Sequence, residues 1–165
     1  MGNHEEFTEY ATAAATRLRN VAYLMCHDWH QAQDLTQITL AKVFVNWSRI
    51  RRRDNVDVYA RQILVREFLN GKRRFSSTER PTADVPELAD RSDSADLRLT
   101  LLQALGSLSP NQRAVVVLRY WEDQSVEQVA ALMRTTPGAV KSLAFRGLRE
   151  LRVLLGGDFP IEAGV

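Results

Sequence analysis

Residues 125–142 read Ser-Val-Glu-Gln-Val-Ala-Ala-Leu-Met-Arg-Thr-Thr-Pro-Gly-Ala-Val-Lys-Ser, and two helix beginnings are spelled out in them. Ser125 followed by Gln128 is a capping box, in which the hydroxyl accepts from a first-turn amide and the Gln side chain reaches back to the cap. Thr136 followed by Pro137 gives a second cap, then a residue whose fixed φ and missing N–H suit the first helical position. The spacing predicts a short helix from Ser125, a turn at Arg134-Thr135-Thr136, and a second helix from Pro137 to Leu155 that Gly156-Gly157 stops. That is a helix-turn-helix pattern.

In such a unit Val129, Ala130, Leu132, Val140, Ala144 and Leu148 face inward. Thr135, Thr136, Ala139, Lys141, Ser142, Phe145, Arg146 and Arg149 are then left outward, a set rich in phosphate-binding and base-reading groups. The amino end of the second helix adds backbone amides and a positive dipole end suited to a phosphate. A plain helical hairpin with exposed charges would share this pattern, so the text around it has to decide.

Upstream, Ser109-Pro110-Asn111-Gln112 is a further capping box with proline at the first helical position, and Leu97–Leu108 supplies a helix before it. The C-terminal part, residues 95–157, is therefore expected to hold four helices. Residues 76–94 shift to Ser, Thr, Pro and Asp, keep no apolar period, and read as a flexible linker. Before it, residues 5–75 carry helical stripes: Tyr10, Ala14, Leu18, Val21, Ala22 and Met25; then Leu35, Ile38, Ala41, Val43, Phe44 and Trp47; then Tyr59, Ile63, Val65, Phe68 and Leu69 within a helix over 58–72. No segment alternates as a strand does. The fold class is all-α, two small helical domains, the first of three to four helices, each dependent on tight packing.

Composition and charge narrow the function. The 165 residues are 45% apolar and 25% charged, which suits one ordinary globular domain or two small ones and excludes a large multidomain catalyst. The longest aliphatic run, Ala114–Leu118, is far below the roughly 18 residues that span a bilayer. The acidic start Met1-Gly2-Asn3-His4-Glu5-Glu6 is unlike a secretory signal, so a cytoplasmic protein with no membrane partner is expected. Cys26 is the single cysteine, so no intrachain disulfide forms. Net charge is +2, but it is concentrated: residues 51–80 hold 9 basic and 4 acidic side chains, a net of +5, against −1 for residues 1–50 and −3 for residues 81–100. A concentrated basic segment favours a polyanion, through release of condensed counterions.

With these residues in view, the chain resembles the bacterial sigma factors of the extracytoplasmic-function type, within the sigma-70 superfamily. Residues 125–142 look like that family's promoter-reading unit, and Leu108-Ser109-Pro110-Asn111-Gln112-Arg113 with Leu118-Arg119-Tyr120 is similar to the "LP-x-x-QR" start of the same domain. Ala32-Gln33-Asp34-Leu35-Thr36-Gln37 resembles the polymerase-binding "A-E-D-L-x-Q" motif, with Gln33 in place of Glu and the aromatic helix end at Phe44 and Trp47. The wording around Cys26 and Asn55 is most similar to an actinobacterial, SigE-like subgroup. The resemblance spans about residues 7–155.

The resemblance implies a sigma2-like domain over 5–75, a linker, and a sigma4-like domain over 95–157. It implies that Asp34, Leu35 and Gln37 lie on or beside a surface that docks on the β′ clamp helices of core RNA polymerase. The basic segment of Arg51, Arg52, Arg53, Asn55, Arg61, Arg66, Arg73 and Arg74 would hold the melted −10 strand, Asn55 serving either an unstacked base or as a helix cap. The helix-turn-helix would bind the −35 element as a duplex, with the β flap as a further polymerase contact and an anti-sigma factor as a possible regulator. No cofactor or metal is implied, and the chain is not expected to be an enzyme. Two weak DNA contacts on one tether gain through effective concentration.

Besides Gln33, two features depart from the family pattern. Arg134 stands where the turn usually has Gly, which calls for a looser turn or a left-handed non-glycine residue at a cost of about 1 kcal/mol. Leu143 and Phe145 replace polar residues on the second helix, leaving thymine-methyl contact and plain packing both open. A metal site at Cys26, His27 and His30 is weakened by the absence of a further ligand and by Cys26 continuing an apolar stripe. The competing readings are a dimeric helix-turn-helix regulator that never touches polymerase, which leaves the Asp-Leu-x-Gln motif unexplained, and a helical partner-binding protein whose basic face is only solvated.

Overall fold

The computed structural model describes residues 2–51, 55–71 and 95–156. Arg52, Arg53, Arg73, Arg74 and the expected linker at 76–94 lie outside the described residues. The elements are α1 (Asn3–Cys26), α2 (Trp29–Val45), α3 (Trp47–Ile50), α4 (Val56–Asn70), α5 (Ala95–Ser107), α6 (Pro110–Val116), a π-helical turn over Val117–Trp121, α7 (Val126–Met133) and α8 (Pro137–Leu155). The chain divides into two compact units, Met1–Ser76 and Ser77–Val165. Among the described residues there is no strand.

In the first unit the break between α1 and α2 takes two residues. His27 turns the chain in the left-handed region (φ 61°, ψ 19°), donating its N–H to Tyr23 O at 2.8 Å. Asp28 then caps α2, its carboxylate accepting from Gln31 N–H at 2.9 Å. Trp29 folds back to stack on the buried Tyr23, ring centroids 4.4 Å apart, with the Arg19 guanidinium 5.1 Å above the Trp29 ring. This break puts Cys26 at the end of one helix and His30 on the next, so the helix-face spacing behind a metal reading of the pair does not exist.

Helix α2 packs against both α1 and α4. The core they enclose includes Leu18, Val21, Met25, Leu35, Val43, Leu64, Val65 and Phe68. Burying each such side chain is worth about 1.5–3 kcal/mol. Around this core the helices are tied by ion pairs: Arg17 to Asp57 at 2.9 Å, Arg51 to Glu6 at 2.7 Å, and Lys42 to Glu67. Such partly exposed pairs contribute at most about 1 kcal/mol each and mainly fix which faces meet. At the other end, Phe7 sits 4.9 Å from Phe44 and 5.4 Å from Trp47, anchoring the start of α1 to the end of α2 and to α3.

In the second unit the capping residues act as the sequence requires. Ser109 Oγ accepts from Gln112 N–H at 3.2 Å, Ser125 Oγ from Gln128 N–H at 3.1 Å, and Thr136 Oγ1 from Ala139 N–H at 3.1 Å. Arg113 donates to the carbonyls of Leu105, Gly106 and Leu108, closing the carboxyl end of α5 that backbone bonding leaves open. The π-helical turn after α6 is not foreseen by the apolar period. Its extra residue leaves Tyr120 and Trp121 about half exposed ahead of α7.

Candidate nucleic-acid and partner interfaces

The turn between α7 and α8 uses the left-handed option. Arg134 adopts φ 53°, ψ 50°, and Thr135 N–H bonds back to Ala130 O at 2.9 Å. Beyond it, Thr135, Thr136, Lys141, Ser142, Phe145, Arg146 and Arg149 are all exposed; Ala139 is half-buried at the edge of that face. The inward stripe is Val140, Ala144, Gly147 and Leu151, while Leu148 is only half-buried. Gly147, invisible to a search for apolar residues, takes the central place in that stripe.

The anion-binding capacity of the α8 amino end is narrower than dipole arguments suggest. Pro137 has no N–H, Ala139 N–H is taken by the Thr136 side chain and Val140 N–H by the Thr136 carbonyl. The Gly138 amide is the one left for a phosphate within that turn, and nothing crowds its α-carbon. Along α8 the charges are Lys141, Arg146, Arg149 and Arg152 against Glu150, so the face as a whole attracts a polyanion.

The basic segment of the first unit is less uniform than its sequence. Arg51 is held by Glu6. Arg61 and Arg66 are both half-buried on α4 but lie about 140° apart around it, so they do not join one surface. Arg61 acts on Tyr10 of α1, whereas Arg66 has its Nε buried without a hydrogen-bond partner among the described residues. Asn55 occupies the cap position of α4, yet its side chain makes no capping bond. It instead lines a cleft of about 380 Å³ with Arg49, Ile50, Val58, Tyr59 and Gln62. Arg49, Tyr59 and Gln62 were absent from the sequence-derived site. The signal that could have found them is Asn55, Tyr59 and Gln62 at a spacing of four and three, which puts three polar-tipped side chains on one helix face.

On α2, Asp34 and Gln37 are exposed and three residues apart, hence on one face. Leu35, expected on or beside that face, is 1% exposed and belongs to the core, so it lies beneath the face and supports it. The same face continues to Phe44 and Val45, 47% and 79% exposed. Val45 was not among the residues expected there.

One helical unit thus carries a solvent-facing helix-turn-helix, and the other an exposed polar helix face and a cleft at Asn55. A family model described as "Sigma-70 region 2" matches residues 11–78, and one described as "Sigma-70, region 4" matches residues 98–151. The RNA polymerase sigma-E factor of Streptomyces coelicolor is 35% identical over 154 residues, covering 92% of this chain and 87% of the relative. The RNA polymerase sigma-E factor of Streptomyces avermitilis is 34% identical over 149 residues, covering 89% and 83%. Among solved structures, the sigma factor RpoE of Bartonella quintana, crystallised with the anti-sigma factor NepR, has a similar fold: TM-score 0.73, 24% identity, 94% of this chain and 99% of that one.

The chain belongs to the sigma-70 family of RNA polymerase sigma factors, in its extracytoplasmic-function group. It is an alternative sigma factor that directs transcription initiation. The dimeric-regulator reading is set aside, because the region 2 match falls on the half of the chain that such a regulator leaves unexplained. Sigma factors as a family are initiation factors rather than enzymes. Among the described residues no helix is long and apolar enough to cross a membrane.

Proposed function

We propose that the two units divide promoter recognition between them, residues 5–75 taking polymerase and the −10 element and residues 95–157 taking the −35 element, with 76–94 as tether. Asp34 and Gln37 dock on the clamp helices of core polymerase, and the exposed end of α2 at Phe44 and Val45 extends that footprint. The cleft at Asn55 takes an unstacked base of the melted −10 strand: its volume is ample for a nucleobase, Asn55 and Gln62 offer donors and acceptors, and Tyr59 offers a ring. Arg51, released from Glu6, together with Arg52, Arg53, Arg73 and Arg74, follows the backbone. Lys141, Ser142, Arg146 and Arg149 engage the −35 duplex.

The observation that carries this reading is the Asp34–Gln37 face. Its two polar side chains project into solvent directly over a residue locked in the core, as a docking surface on a rigid support requires. The protein acts as a binding factor without catalytic groups of its own, in the cytoplasm where polymerase and chromosome are. RpoE of Bartonella quintana is held by an anti-sigma factor, and a comparable inhibitor covering the α2 face would regulate this chain.

Run-off transcription with purified chain and core polymerase on genomic fragments tests the proposal. Promoter-selective transcripts are expected from the unaltered protein. Asp34→Ala with Gln37→Ala should abolish them while leaving the melting temperature unchanged. Undiminished transcripts from that folded double variant would remove the docking surface.

A further inference from the structure

Ahead of the last turn of α8, where Val153 and Leu154 are also exposed, Phe145 is the outward side chain that neither capping, packing nor charge accounts for. It is 67% exposed, although burying a phenyl ring is worth about 1.5–3 kcal/mol. Leu143, the other apolar residue on this helix that departs from the family pattern, is half-buried. The two therefore part company. Leu143 is partly covered, and Phe145 has its ring in water.

The surroundings of that ring specify what would cover it. Lys141 and Arg149 stand one turn before and one turn after it on the same face, and Ser142 and Arg146 flank it. A protein partner fitted to an exposed aromatic offers an apolar pocket, whereas this ring is bracketed by cations and sits on a helix with Glu150 as its one acid. The complementary surface is a polyanion with an apolar group recessed between its charges. Duplex DNA has that form in the major groove, where phosphates line both walls and the thymine C5-methyl is the one apolar group on the floor. When Lys141 and Arg149 reach the walls, the residue midway between them faces the floor.

The geometry points to Phe145 as a specificity-determining residue that reads a thymine methyl in the duplex promoter element bound by α8. The inference rests on the assignment of α8 as the DNA-reading helix and adds the chemical group that its central side chain selects. Cytosine presents a hydrogen at the corresponding carbon, so Phe145 disfavours C·G at that position without any hydrogen bond. Removing the methyl weakens binding about fourfold, the equivalent of one methyl-sized group returned to water.

The test uses holoenzyme assembled from the full chain and core polymerase, with a promoter fragment that the unaltered holoenzyme selects from sheared genomic DNA. Each thymine of the upstream element is replaced singly by deoxyuridine, which removes only the methyl, and affinity is measured by competition. At one or two positions the unaltered holoenzyme should lose about fourfold, and Phe145→Ala holoenzyme should lose nothing there. Where cytosine replaces that thymine, 5-methylcytosine should bind more tightly than cytosine for the unaltered protein alone.

Indifference of the unaltered holoenzyme to every deoxyuridine, with Lys141→Ala still weakening binding, overturns the methyl reading and keeps α8 on DNA. A deoxyuridine penalty that persists in Phe145→Ala overturns it too, by giving the methyl to another residue. If neither Lys141→Ala nor Phe145→Ala alters affinity, α8 is not the DNA-reading helix and both assignments fall.

Discussion

A Cβ placed on Gly147 would lie 2.9 Å from Val116 Cγ2, inside any distance that real side chains keep, so helix α8 is seated on α6 through the absence of a side chain. Val116 is β-branched and 6% exposed, with little room to rotate away. Gly147→Ala gains up to about 1 kcal/mol in helix propensity and loses about 1–3 kcal/mol to overpacking, so the second unit should be destabilised by about 1 kcal/mol. Adding Val116→Ala should return part of that loss, because it removes the opposing methyl. Urea denaturation of the three variants measures it; a Gly147→Ala protein as stable as the unaltered one would show that the two helices separate freely.

Gly147 also marks where the sequence stops being legible. The caps at Ser109, Ser125 and Thr136 can be read directly because they are local chemistry: a hydroxyl, a spacing of three, a proline. The apolar stripes of α1, α2 and α4 are equally plain, since burial imposes a period. A close helix approach carries no such pattern, and the expected inward residue Leu148 turns out to sit at the edge of the stripe that Gly147 centres. The π-helical turn at Val117–Trp121 is hidden for the same reason, its residues being as apolar as an α-helical continuation. Of the candidate site, the outward face of α8 follows from periodicity alone. The cleft at Asn55 does not, because it depends on Arg49 and Ile50 meeting Tyr59 and Gln62 from beyond the arginine run in sequence.

Arg134 makes a separable prediction. Its left-handed conformation costs a residue with a Cβ about 1 kcal/mol that glycine does not pay. Arg134→Gly should stabilise the second unit by about 0.5–1 kcal/mol, whereas Arg134→Ala, which removes the charge and keeps the Cβ, should give no such gain. Equal stabilisation by both would assign the effect to charge and leave the backbone unstrained.

Leu35 and its neighbours separate folding from docking. Truncating a leucine that is 1% exposed leaves a cavity, so Leu35→Ala should cost the first unit about 2–5 kcal/mol and reduce polymerase binding only in proportion to the unfolded fraction. Lowering the temperature or adding a stabilising osmolyte should restore that binding. Neither treatment should rescue Asp34→Ala with Gln37→Ala. Pulldown of core polymerase at two temperatures distinguishes them, and a cold-rescued double variant would mean that the exposed pair serves stability instead.

Tyr10 gives the first unit a defined weakness to alkali. Its hydroxyl donates to Asp57 Oδ1 at 3.3 Å, the same oxygen that Arg17 engages at 2.9 Å. Burial first, then the negative charge of Asp57, pushes its pKa up from the ordinary 10 to about 12. In the unfolded chain the phenol ionises near pH 10, while the folded chain keeps the proton until about 12, so between those values the unfolded state binds fewer protons and stability falls as pH rises. The contribution is intact below about pH 10 and gone above about pH 12. Buried Tyr23 is raised in the same direction, by burial and then by the charges of Cys26 and Asp28, and steepens the fall. Tyr10→Phe sacrifices one hydrogen bond at neutral pH, about 0.5–1.5 kcal/mol at most, but has no proton to lose. The stability gap between the two proteins, followed by the fluorescence of Trp29 and Trp47 during urea unfolding in a Trp121→Phe background, should therefore shrink from about pH 10 toward about pH 12. Parallel curves across that interval would show that Tyr10 ionises alike in both states and that its contact with Asp57 carries no protonation-dependent energy.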